Sequence, residues 1–334
     1  MNIAELINEN ARQYSPYMNN LVNHLPMGQL ALFKLTGDVN KVKSYTDAYM
    51  KRSNIDRIDS DFKRVESFDD CLGKRELYMP CLDLIRGKLK NKDMEIKDLI
   101  SYVLNNYTLG LSSGLFHTTI RLAYAVEGYQ IDKALKEEVE RALAYYITAY
   151  RKGGLFEREI SKEQSLKEMR KFKDISDIKE IRLSDKSTGK KLQAFYSNKD
   201  FMKEGFIFKG EEDDKVEAML KILVPAFYNT NNIVMLHAIT GLHAMTVLKD
   251  YFSDYNRALD IFTTTALAHI LTQKDLNLDD IDTSLNKNWD QIIKLSSNSS
   301  DVHTIKFAYS SKDLDEKFNV DGLKSAANKR AEKN

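Results

Sequence analysis

The sequence predicts an all-α protein, because apolar residues recur every three or four positions through most of its length. Leu115, Thr119, Leu122 and Val126 follow this spacing in one segment. The chain also has few residues that interrupt helices, with 14 glycines and 4 prolines among 334 residues. We therefore expect one large helical domain spanning residues 1–334.

Twelve helices are predicted, and turn or cap residues stand near several of their ends. Gly37 and Gly128 stand at expected helix ends, Asp93 lies close to an expected start, and Gly153 follows a long helix. The predicted helices cover residues 2–13, 27–35, 38–52, 75–90, 95–109, 115–127, 131–150, 212–228, 232–252, 255–273, 285–296 and 300–330.

Residues 155–211 interrupt the helical pattern. This interval is dominated by Lys, Glu, Asp and Ser, with short aromatic bursts at 194–196 and 205–208. We expect an irregular polar insertion between two helical halves, with room for one small hairpin. A variable surface excursion is favoured over a functional lid.

Composition excludes several classes of partner. Fifty basic residues balance forty-nine acidic ones, so the net charge of +1 favours neither nucleic acid nor an anionic membrane. Cys71 and Cys81 are too few for a disulfide framework or a four-cysteine zinc site, which predicts a reducing compartment. With no signal peptide and no apolar run of membrane-spanning length, we expect a cytoplasmic protein.

Histidines are the most informative residues, because there are only six and each lies in an apolar, helix-forming context. They are His24, His117, His237, His243, His269 and His303. A buried neutral imidazole needs a partner for both ring nitrogens. Interior histidines can be satisfied by one another, by a metal or by a ligand, and these alternatives stay open at this point.

Helical spacing places some of these histidines beside other polar groups. His117, Arg121 and Tyr124 share one stripe, so an imidazole, a guanidinium and a phenol would project together. Alternatively, Arg121 reaches the surface and His117 bonds a backbone carbonyl. His303 has Lys306 one turn later, with Asp301 as a plausible N-cap.

His237 and His243 cannot form a simple helical pair. They are six residues apart, which places them about 120° away from a common face. We expect one of them to face inward with Thr240.

Common cofactor motifs are absent from the sequence. It lacks His-x-x-x-His, Glu-x-x-His and Cys-x-x-Cys, and also the glycine-rich nucleotide fingerprints. Gly110 to Gly114 spells Gly-x-Ser-x-Gly, but a helical pattern precedes it where a hydrolase elbow needs a strand. Motifs alone leave the metal content of any site unknown.

Several segments together resemble the questin oxidase-like family. They are Asn23-His-Leu-Pro-Met27 with Ala31-Leu-Phe and Gly37, Tyr45 and Tyr49, His117 to Glu127, His237 to Ala244, and Asp301 to Lys306. The resemblance implies an all-helical oxidoreductase. Named fungal members carry out an oxygen-dependent, Baeyer–Villiger-type ring opening of anthraquinones in polyketide biosynthesis, with NADPH as reductant.

The resemblance and the residue chemistry together predict an interior pocket for a small aromatic or hydrophobic molecule. The candidate catalytic residues are His117, Arg121, Tyr124, His237 and His303, and the candidate substrate-binding residues are His24, Glu127, Thr240 and Lys306. His117 or His237 would act as general base, while Arg121 and Lys306 would hold the resulting oxyanion.

This prediction has a geometric consequence and two competitors. At least three of His24, His117, His237 and His303 should lie within roughly 10 Å of one cavity. Because no cofactor fingerprint is present, an electron-rich hydroquinone that reduces oxygen directly is one version of the chemistry. The competing classes are a binding protein for a hydrophobic ligand, haem or metal, and a purely structural histidine network.

Overall fold

The fold is all-α, as the sequence predicts, in a computed structural model that describes residues 2–19, 21–58, 62–91, 94–153, 163–198, 207–284 and 287–333. Numbered over these residues, the helices are α1 Ile3–Ala11, α2 Leu25–Thr36, α3 Val39–Arg52, α4 Phe68–Cys71, α5 Tyr78–Lys90, α6 Ile96–Asn106, α7 His117–Ile131, α8 Lys136–Thr148, α9 Leu166–Lys171, α10 Ser176–Leu183, α11 Thr188–Ser197, α12 Glu212–Thr230, α13 Ile233–Val247, α14 Tyr255–Leu271, α15 Trp289–Ser296, α16 Val302–Phe318 and α17 Leu323–Glu332.

Helices α2, α7, α13 and α16 form the centre of the fold. Helix α7 packs against α2 and α13, and α16 packs against α2 and α13 in turn. Every residue of α7 from 117 to 128 is buried, as is every residue of α13 from 234 to 245. Because these two helices are enclosed on all sides, their polar side chains must find partners inside the protein.

Local sequence explains where α3, α13 and α16 begin. Asp38 starts α3 by accepting hydrogen bonds from the backbone N–H groups of Asn40 and Lys41, directly after Gly37 closes α2 with a φ of 65°. Asn232 and Asp301 act in the same way at the starts of α13 and α16. The predicted N-cap role of Asp301 is therefore present.

The structure differs from the sequence predictions in the C-terminal helix and in the insertion. The single helix expected over 300–330 is divided, because Asn319 and Gly322 adopt φ values of 47° and 93°. The described part of 155–211 is more regular than expected, with α9, α10 and α11 in it. Short capped segments such as Ser165 with Glu168 supply local helix signals that the polar composition obscures.

Strands are confined to two small pairs among the described residues. β1 (Tyr17–Met18) pairs with β2 (Leu21–Val22) in antiparallel fashion just before His24. β3 (Glu163–Gln164) pairs with β4 (Ile207–Phe208) in parallel, so this pair is not the small hairpin expected in the insertion. Parallel pairing requires a long connection, and more than forty residues separate these two strands.

Helix length and polarity bear on the membrane question. Among the described residues, none of the helices is both long and apolar enough to cross a bilayer.

Candidate functional site

Four histidines from four parts of the chain meet at one point. His24 precedes α2, His117 begins α7, His237 lies in α13 and His303 lies in α16. The Nε2 atom of His117 lies 2.7 Å from that of His24 and 3.0 Å from that of His237. The His303 ring centroid is 4.8 Å from that of His24 and 5.1 Å from that of His237. One ring nitrogen from each of the four lies within 4.8 Å of the others.

The other nitrogen of each ring is held by an oxygen. Nδ1 of His24 lies 2.6 Å from the Val22 carbonyl, and Nδ1 of His117 lies 2.5 Å from the Gly114 carbonyl. Nδ1 of His237 lies 2.8 Å from the Ile233 carbonyl. Since carbonyl oxygen only accepts hydrogen bonds, these three rings carry their proton on Nδ1. Their Nε2 atoms therefore present lone pairs toward the shared centre.

His303 has a carboxylate in place of a carbonyl. Its Nδ1 lies 3.1 Å from Oδ1 of Asp301, which also accepts from the His303 backbone N–H. Arg330 of α17 donates to the other oxygen of Asp301. Although burial opposes ionisation of Asp301, these bonds from His303 and Arg330 hold the pKa of its carboxyl well below the ordinary value. Asp301 is thus an anion that orients the His303 ring.

A left-handed turn sets the position of His117. Gly114, Leu115 and Phe116 have φ values of 58°, 56° and 66°, which are unfavourable for the two bulky residues. This turn directs the Gly114 carbonyl at Nδ1 of His117 and places Leu115 at the wall of the adjoining cavity. Backbone strain of this kind persists where the surroundings enforce it, and functional sites are its usual location.

Burial keeps the four imidazoles neutral. It is the largest cause that lowers the pKa of His24, His117 and His237 well below the ordinary value of 6.5, and it also lowers the pKa of His303. Lys306, one turn after His303, is fully buried. Its Nζ has no hydrogen-bond partner among the described residues, and burial lowers its pKa to about 7. The amine therefore exchanges between its charged and uncharged forms near neutral pH, beside the neutral rings.

A cavity of about 730 Å³ opens onto the four histidines. Its volume lies in the range of small-molecule sites. Apolar and aromatic side chains form most of the wall, and Arg52 and Asp301 are the charged ones among the described lining residues. The lining comprises Met18, Leu21, Val22, His24, Tyr49, Arg52, Ser53, Gly114, Leu115, His117, Ile233, His237, Ser300, Asp301, Val302 and His303.

Arg121 lies outside this cavity, in an ion pair. Its side chain donates to Glu138 at 2.9 Å, and both side chains are almost completely buried. The guanidinium also lies 5.7 Å from the Tyr145 ring. This position gives no support to the predicted oxyanion role of Arg121, because its guanidinium is paired with the Glu138 carboxylate away from the cavity.

Tyr124 and Glu127 belong to a second polar cluster on the same helix. The Tyr124 ring packs 5.8 Å from that of Tyr309, whose hydroxyl donates to Glu127, and Lys34 lies 3.1 Å from Glu127. Neither residue lines the cavity. Thr240 also remains outside, with its hydroxyl bonded to the His237 carbonyl at 3.3 Å. The helical stripe had placed Tyr124 beside His117, whereas Glu127 and Thr240 were candidates through the family resemblance.

The remaining two histidines are satisfied elsewhere. His243 lies 3.0 Å from Asp313 and 3.2 Å from Ser310, and His269 bonds the Thr265 carbonyl at 2.7 Å. Sequence reasoning did not assign Tyr49 and Arg52 to the cavity. Tyr49 had a signal in the Tyr45 and Tyr49 pair of the family resemblance, whereas Arg52 had only its position in a helix shortly after the His24 segment.

A comparison with family models identifies the chain. The model described as questin oxidase-like matches residues 21–311. The chain belongs to the questin oxidase-like family. Family membership points to oxidoreductase activity, and the match includes all four histidines and Lys306. Arg330, which bonds Asp301, lies beyond the matched residues. A search of curated proteins found no match.

Proposed function

We propose that the four histidines bind one transition-metal ion and that the protein uses it to oxidise an aromatic, hydroxylated substrate with dioxygen. The observation that carries this proposal is the convergence of one ring nitrogen from each of four histidines, with three of these atoms being Nε2 of His24, His117 and His237. Neutral rings protonated on Nδ1 direct lone pairs at one another over 2.7 and 3.0 Å, an arrangement that repels unless a cation lies between them.

The separations suit a metal ion. With metal–nitrogen bonds near 2.1 Å, neighbouring corners of an octahedron are about 3 Å apart, and opposite corners about 4.2 Å. The four ligand atoms fall within 4.8 Å of one another. Asp301 supplies the carboxylate behind His303 that commonly orients a metal-bound histidine. Small movements of the imidazole rings would bring the four ligand nitrogens to equal distances from a bound metal ion.

An all-imidazole ligand set favours iron, copper, nickel or zinc. Iron is the choice we favour, because the family is one of oxidoreductases and zinc has no redox chemistry. When bound, the metal would exchange electrons between substrate and oxygen. Haem fits poorly, since its porphyrin already supplies four nitrogens and leaves two axial positions, whereas four histidines converge here.

The side chains of this protein would then orient the substrate and exclude water. Apolar residues such as Val22 and Leu115 line the cavity and shield the reacting ring. The histidines are poor general bases because their pKa values are lowered and their lone pairs face the metal position. Lys306, whose pKa is about 7, does not line the cavity, so we assign it no direct contact with the substrate.

Oxygen consumption tests this function. Protein loaded with iron should consume oxygen with a panel of hydroquinones and anthraquinols, whereas chelator-stripped protein should not. Parallel assays with NADPH would test the reductant that the family resemblance implies. His237→Gln should abolish the rate. His269→Gln is the matched control, because His269 is also buried and also bonds the carbonyl four residues earlier. Equal rates for stripped and loaded protein would contradict the proposal.

A further inference from the structure

One cation lies on the wall of a cavity whose lining is mostly apolar and aromatic. Arg52, in the last turn of α3, is the only lysine or arginine among the described residues that line it. Within the described ranges, no carboxylate lies in ion-pair distance of its guanidinium. Asp301, the cavity's acid, is already bonded by His303 and Arg330. The charge of Arg52 is therefore available to a ligand.

The guanidinium is held in place although it is exposed. One of its nitrogens donates to the Ser300 carbonyl, in the turn that leads into α16. Its central carbon lies 5.6 Å from the Tyr49 ring centroid, a cation–π contact. An arginine anchored at one nitrogen and stacked on a ring keeps further N–H groups for a planar anion. This arrangement differs from that of a freely solvated surface arginine.

Tyr49 connects this cation to the histidines. Its hydroxyl accepts a hydrogen bond from the His24 backbone N–H at 3.1 Å, while its ring lies beside Arg52. A ligand that reaches from the guanidinium to the imidazoles must therefore extend along the Tyr49 side chain. The cavity of about 730 Å³ accommodates a fused aromatic of two or three rings along this path.

We propose that Arg52 recognises the carboxylate of the substrate, which is a fused-ring aromatic acid whose rings occupy the apolar cavity. This inference deepens the proposed function and rests on the cavity being its substrate site. A single guanidinium beside an acidic residue suits one negative charge, whereas a phosphate dianion would require more cations. Leu21 and Ile233, both exposed apolar residues at this cavity, would contact the rings.

Calorimetric titration of the full chain, without metal, tests the proposal with three probes of equal shape. They are 2-naphthoate, 2-naphthylmethanol and 2-naphthylmethylammonium. The wild type should bind the anion at least tenfold more tightly than the alcohol. Arg52→Gln should remove about tenfold of the naphthoate affinity and leave alcohol binding unchanged. Arg52→Glu should reverse the order in favour of the ammonium.

Arg57→Glu is the matched control, because Arg57 is exposed and lies 5.9 Å from the Tyr14 ring but does not line the cavity. It should bind all three probes like the wild type. The proposal is overturned if Arg52→Gln retains naphthoate affinity, if wild type prefers the alcohol, or if folded wild type binds none of the probes. Because the protein contains no metal, the naphthoate carboxylate cannot bind a metal ion. The titration also measures binding without any enzymatic turnover. A failure of the Arg52 proposal in this titration can therefore be distinguished from a failure of the proposed oxidase function, which the oxygen-consumption assay tests.

Discussion

The Nε2 atoms of His117 and His237 face each other across 3.0 Å, although each ring already uses its Nδ1 proton on a nearby carbonyl. This pairing is a poor way to satisfy two buried neutral imidazoles, because neither nitrogen offers a proton to the other. A cation between them resolves the conflict.

Asp301→Asn should weaken metal binding by roughly tenfold or more, because the ring of His303 loses its charged partner. Asparagine remains a good N-cap and hydrogen-bond acceptor, so α16 should stay intact. Chelator competition measures the affinity. Asp38→Asn is the control, since it alters the N-cap of α3 away from the site. Equal metal affinities for the two variants would contradict the orienting role.

Arg330→Gln should lower both stability and metal affinity. Arg330 bonds Asp301, Thr304 and Asn231, so its loss breaks charge-assisted bonds that join α17 to the site. We expect a loss of roughly 1–3 kcal/mol in urea unfolding and a several-fold weaker metal affinity. Lys333→Gln removes an exposed positive charge from the same end of the chain and should change neither. If Arg330→Gln binds the metal as tightly as the wild type, then the contact from α17 does not contribute to metal binding.

Leu115→Gly should be more stable than Leu115→Ala by about 1 kcal/mol. Both variants remove the same half-buried side chain, but only glycine adopts the φ of 56° without strain. In ordinary conformations the order is the opposite, with glycine less stable by roughly 0.5–1 kcal/mol. Urea melts of the two proteins measure the difference. If Leu115→Ala has the higher free energy of unfolding, then the turn before His117 is unstrained.

Lys306→Met should stabilise the metal-free protein, and the gain should depend on pH. The folded-state pKa of Lys306, about 7, lies below the unfolded value of 10.5. Between these values the unfolded chain binds more protons, so wild-type stability rises with pH through this window. The free-energy cost of burying the charged amine is fully present below pH 7. In that range we expect Lys306→Met to raise the free energy of unfolding by roughly 2 kcal/mol or more. A pH-independent difference in Tm would contradict this pKa.

Much of the fold was predictable because the apolar spacing is regular and the helix starts carry recognisable caps such as Asp38. The meeting of the histidines was also anticipated, since polar rings in apolar helices must find interior partners. Which stripe faces which neighbour was not predictable for α7, because that helix is buried on every side. Arg121 and Tyr124 consequently follow His117 along the helix but pack against different partners.

Two details of the site, the turn before His117 and the position of Arg52, could not be predicted from the sequence. Leucine and phenylalanine rarely adopt positive φ, so the local sequence gives no indication of the turn before His117 beyond Gly114. Arg52 approaches the cavity through a bond to the Ser300 carbonyl, nearly 250 residues away in the chain. Contacts of this range depend on how the helices pack and leave no local sequence pattern.

Elemental analysis of the purified, metal-equilibrated protein tests the central claim most directly. The account predicts one transition-metal ion per chain in the wild type and in His269→Gln, and loss of that ion in His237→Ala. Wild-type protein that binds no transition metal, or His237→Ala protein that binds it as tightly as the wild type, would contradict a four-histidine metal centre.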